Sequence, residues 1–161
     1  MTYDRDKSIA YAHQWAYGRN SAYYNFDLLG GDCTNFISQC LYAGCGVMNY
    51  TRDVGWYYRS PYDRAAAWSG VEFLHRFLIH NQGAGPYAAE LPLEHVQAGD
   101  IIQLSFDGLV YSHSLFAVNS YPDILIATHS YDCDNRPLDT YTYRLARLIH
   151  IEGVRSNGGK I

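Results

Sequence analysis

The hydrophobic pattern of this 161-residue chain changes period near its middle, and that change limits the folds open to it. Residues 4–17, DRDKSIAYAHQWAY, predict a helix capped by Asp4, with Ile9, Ala12, His13 and Ala16 along one face. Residues 33–43 predict a second helix with Phe36, Ile37, Cys40 and Leu41 as its buried stripe and Gly44 as its C-cap. Ser69-Gly-Val-Glu72 reads as a capping box that opens a third, with Val71, Leu74, Phe77 and Leu78 inward and Asn81 to Gly85 ending it. From residue 100 onward short apolar runs replace the helical spacing. Residues 100–106, 113–118 and 124–129 predict strands, joined by turns at Asp107-Gly108 and Tyr121-Pro-Asp123, with 140–143 and 148–151 as further candidates. Helices first and an antiparallel meander second give an α+β domain, N-terminal helices packed on a C-terminal sheet.

One domain is expected, over residues 1–155, with 156–161 as a frayed C-terminal tail. Apolar residues at 48% and charged residues at 17% suffice for a core and exclude intrinsic disorder. A net charge of −4 argues against a nucleic-acid partner held by phosphate contacts and against a basic membrane-surface helix. No apolar run reaches the ~20 residues that a bilayer span needs. Met1–Lys7 lacks the basic and apolar regions of a signal peptide, so the expectation is a cytoplasmic protein or a domain excised from an exported chain. Cys33, Cys40, Cys45 and Cys133 form no C-x-x-C pair, so free thiols are expected rather than a zinc ribbon.

The segment that carries chemistry is Gly30-Gly-Asp-Cys-Thr-Asn-Phe-Ile-Ser-Gln39. A cysteine just after a Gly-Gly turn, in the first turn of a helix, sits at the positive end of the macrodipole, which favours the anionic sulfur. The glycines also let a substrate approach the backbone, leaving the Cys33 N–H free for an oxyanion. Most free cysteines are small buried hydrophobes. Cys40, on the apolar stripe, fits that description; Cys33, among Asp32, Thr34 and Asn35, does not. A thiolate nucleophile needs a base, and His113 opens a strand between Ser112 and Ser114. The next strand ends in Thr-His129-Ser, where an antiparallel neighbour would bring His129 beside His113.

These blocks, with Trp15-Ala-Tyr-Gly-Arg-Asn20, Gly55-Trp-Tyr-Tyr58, Gly99-Asp-Ile-Ile-Gln103, Ser112-His-Ser114 and Ala127-Thr-His-Ser130, resemble the bacterial putative-amidase domain family over nearly the whole chain. That family is similar to the papain-like CHAP and NlpC-type cell-wall peptidases. The resemblance implies a papain-like cysteine peptidase fold, with Cys33 as nucleophile, His113 as base and His129 as the third member. Asp132 and Asn135 are the alternatives for that third place, because CHAP-like relatives use an acidic or amide residue there. It implies hydrolysis of peptide amides in bacterial peptidoglycan through a thioester, without a cofactor. Tyr23, Tyr24 and Asn25, in the loop upstream, are candidates for the second oxyanion donor or for substrate contacts, along with Asp32. Trp56 belongs either to an aromatic substrate platform or to a hydrophobic layer beneath the loop. The run His129-Ser-Tyr-Asp-Cys-Asp-Asn135 lacks the glycine and distal glutamate of a calcium loop and reads as a turn, not a metal site. A transglutaminase-like acyl transferase and an inactive glycan- or peptide-binding domain are the competing functions.

Overall fold

A computed structural model describes residues 1–156, so all of the expected tail except Ser156 lies outside the described residues. Helix α1 is Arg5–Trp15, capped as expected by Asp4, whose carboxylate accepts from Lys7 N at 3.1 Å. Helix α2, Cys33–Cys45, runs two residues past the expected end and stops at Gly46, in the left-handed region at φ +67. Gly44 has a different task. A Cβ there would lie 2.1 Å from Ser8 Oγ, so only glycine lets α1 and α2 cross this closely. Ser8 Oγ donates to the Cys40 carbonyl at 2.7 Å across that crossing.

A two-stranded ribbon, β1 (Tyr58–Ser60) and β2 (Asp63–Arg64), leads into α3 (Ala66–Ser69) and α4 (Val71–His80). The expected capping box does not form. Gly70 occupies the N-cap of α4 without a side-chain bond, Ser69 Oγ accepts from Arg64 Nε, and Glu72 accepts from Arg147 Nη2 at 2.9 Å.

Six strands follow: β3 (Gly85–Leu91), β4 (Ile101–Ser105), β5 (His113–Ala117), β6 (Leu125–Thr128), β7 (Cys133–Pro137) and β8 (Leu145–Arg155). They form one antiparallel sheet in the order β3-β8-β4-β5-β6-β7. The chain is thus α+β. Strand β8 contains the 148–151 candidate, while residues 140–143 are not a strand; they belong to the segment joining β7 to β8. The unforeseen strands β3 and β7 are the two edges, where Gly, Pro and charged residues are tolerated and no apolar pattern is required.

Both faces of the sheet are covered. On one, α2 packs Phe36 and Ile37 against Ile101, Phe116, Ala127 and Ile149. On the other, Ile102, Leu104, Leu115, Ile126 and Leu148 meet Leu138, Tyr141 and Tyr143 of the β7–β8 segment. No described helix is long and apolar enough to cross a membrane.

Candidate active site

Gly30 and Gly31, at φ +88 and +98, turn the chain into α2 through a conformation that side chains resist. Asp32, next in line, buries its carboxylate instead of capping the helix. One oxygen accepts from Phe26 N at 2.8 Å and Asn35 Nδ2 at 2.9 Å; the other meets His129 Nδ1 at 2.5 Å, with Arg19 Nε 3.6 Å away. Consequently the N–H groups of Cys33, Thr34 and Asn35 find no acceptor among the described residues, and the first helical bond runs from Phe36 N to the Asp32 carbonyl. Three free donors at a helix N-terminus suit a negative charge. The half-buried Cys33 is the first helical residue, with its Sγ 3.8 Å from Thr34 Oγ1, which touches Ser114 Oγ at 3.0 Å.

His129 lies on this face of the sheet. Its ring stacks on Phe36 at 4.1 Å between centroids, and its Nε2 donates to the Trp15 carbonyl at 2.8 Å. A carbonyl only accepts, so Nε2 carries a hydrogen, and the Nδ1–Asp32 contact holds another proton between imidazole and carboxylate. Both nitrogens are therefore engaged, and neither reaches His113. The expectation that His129 orients the His113 ring is corrected accordingly.

His113 lies on the other face. In β5, Ser114 and Phe116 point to α2, whereas Leu115 belongs to the opposite core. His113 shares the parity of Leu115 and pairs across the sheet with Leu104, also of the opposite core. Its ring lies 6.4 Å from that of Phe106 and 6.1 Å from that of Tyr141. Burial, and secondarily the Arg136 charge, push its pKa down to about 4. The expected pairing of Cys33 with His113 is absent: the sheet stands between them.

The remaining expectations divide. Asp132 receives both Arg19 Nη atoms at 2.9 Å, and Asn135 is an exposed residue of the edge strand β7 at φ +53; neither bonds to His113. Asp32 is too buried to touch a substrate directly. Trp56, also fully buried, gives its indole N–H to Ser38 Oγ and belongs to the hydrophobic layer, not to a platform. Tyr23, Tyr24 and Asn25 line a cleft of about 600 Å³ beside β1. The backbone donors of Tyr23 and Tyr24 are already taken, by the Asn20 carbonyl and Tyr58 Oη, so neither backbone N–H is free for an oxyanion. All four cysteines are free; burial pushes the Cys40 thiol well up and Cys45 up to about 11.

The sequence reading missed Arg19. Its guanidinium gathers Asp27, Asp132 and Asp32, fastening the loop before Cys33 to the loop after His129. Its only signal was its place in the Trp15–Asn20 block.

No solved structure matches the chain. The uncharacterized protein YhbB of Bacillus subtilis (strain 168) is 35% identical over 109 residues, which are 66% of this chain and 33% of that protein. The chain thus spans about a third of the length of that curated relative. A family model described as "Putative amidase domain" matches residues 2–151, across α1, the glycine turn, α2 and most of the sheet. This chain belongs to that amidase-domain family.

Proposed function

We propose that this chain is a cysteine-dependent amidase of papain-like fold, with Cys33 as its nucleophile and peptide amides, such as those of bacterial peptidoglycan, as its substrates. The observation that carries the reading is a half-buried thiol at the uncapped N-terminus of α2, in a member of an amidase-domain family. The sulfur attacks the amide carbonyl, and the free N–H groups of Cys33 and Thr34 receive the oxyanion. Collapse of that intermediate expels the amine, which leaves with a proton, and water then hydrolyses the thioester to a carboxylate.

The reading assigns the proton transfers to His129, the imidazole on the Cys33 side of the sheet, with Asp32 behind Nδ1. Its Nε2 hydrogen rests on the Trp15 carbonyl, so Cys33 reacts as the thiolate that the helix N-terminus favours, and the ring exchanges that carbonyl for the departing amine, gives it the Nε2 hydrogen, and recovers a proton from the water that hydrolyses the thioester. His113 takes no part, because its side chain faces the opposite core. The same two bonds on His129 favour a second reading, in which the Asp32–His129 pair is a structural anchor and the domain binds peptide or glycan without turnover.

The test is amine release from peptidoglycan fragments and a panel of peptide amides. Cys33→Ala is expected to lose at least about a thousandfold in rate with an unchanged circular dichroism spectrum. Wild-type rates in that variant would overturn the nucleophile assignment. Binding without turnover by the wild type would favour the second reading.

A further inference from the structure

A second concave site is built from other residues. There α4 and the loop 49–55 enclose a cavity of about 660 Å³, within the range of small-molecule sites. Neither Cys33, Asp32 nor His129 lines it.

The wall contributed by α4 is Phe73, Arg76, Phe77 and His80, the i, i+3, i+4, i+7 spacing of a single helical face. That face combines aromatic surface with positive charge. Phe73 is 51% exposed, and the loop contributes Val54, 71% exposed, so the cavity keeps apolar area in contact with water. The Arg76 guanidinium lies 5.7 Å from the Phe73 ring and forms no ion pair with the described residues. From the loop, Asp53 brings a carboxylate that likewise has no hydrogen-bond or ion-pair partner among them. An unpaired cation and an unpaired anion thus share a cavity with apolar walls.

We propose that this cavity binds a short zwitterionic peptide with an apolar side chain, its carboxylate on Arg76, its amino group on Asp53 and its side chain between Phe73 and Val54. The site is independent of the amidase reading, since it uses none of that machinery. A charge of one sign would leave one of the two protein charges unanswered, whereas a zwitterion answers both. An arginine fork also matches a carboxylate in two-pronged geometry.

The probe is the dipeptide Gly-Leu, titrated into the whole chain by calorimetry and by amide chemical-shift mapping. One-to-one saturation is expected, with shifts confined to residues 49–55 and 73–83. N-acetyl-Gly-Leu, Gly-Leu amide, Arg76→Ala and Asp53→Asn should each weaken binding about tenfold. Asparagine also tolerates the left-handed backbone at residue 53, so Asp53→Asn removes charge without disturbing the loop. Absence of saturation, equal affinity for the three peptides, or shifts confined to residues 31–36 would overturn the proposal.

Discussion

His113 and His129 begin and follow neighbouring strands, yet they occupy opposite worlds. His129 is almost fully enclosed and spends both nitrogens on Asp32 and the Trp15 carbonyl. His113, on the far face, forms no hydrogen bond to the described residues and sits between Phe106 and Tyr141. The difference comes from parity. In a strand a single residue step reverses the face, so Ser114, not His113, meets the residue after Cys33. Nearness in the sheet is therefore a poor guide to shared chemistry unless the face is also known.

The largest effect expected from that contrast is on rate. His129→Gln should lower amide hydrolysis by about a hundredfold or more, while His113→Phe should stay within about threefold of the wild type. A collapse of rate in His113→Phe, with the fold retained, would reverse the roles given to the two rings. Stability should separate them next. Asp32→Asn removes the charge partner of a buried imidazole and should cost about 3–5 kcal/mol in urea unfolding. A loss below about 1 kcal/mol would mean that the pair is solvated. The smallest effect is in the response to acid. Folded His113 takes up its proton near pH 4, whereas an unfolded histidine does so near 6.5. Between those values the unfolded chain binds the extra proton, so stability falls as pH drops through that window, by up to about 3 kcal/mol. His113→Phe should remove this part of the pH slope; an unchanged slope would place the ring in water.

Much of the helical half was legible before any coordinates. The Gly30-Gly31 turn, the start of α2 at Cys33 and the burial of Cys40 all follow from local rules. The face of β5 does not. Ser114, Leu115, Phe116 and Ala117 are all fully buried because both faces of the sheet are covered. A strand enclosed on both sides carries no alternation from which to read its orientation. The Asp32–His129 contact joins residues 97 apart, with no periodic or turn signal to announce it. Trp56 was ambiguous for a similar reason: an aromatic run looks the same in sequence whether it lines a surface or fills a core.

Arg19 gives the site a mechanical property. One guanidinium grips carboxylates from the stretch ahead of the nucleophile and from the stretch past His129. Loosening that grip would free both stretches together. The rim around the sulfur should therefore open as a unit, with one barrier and one rate, rather than as two independently fluctuating flaps.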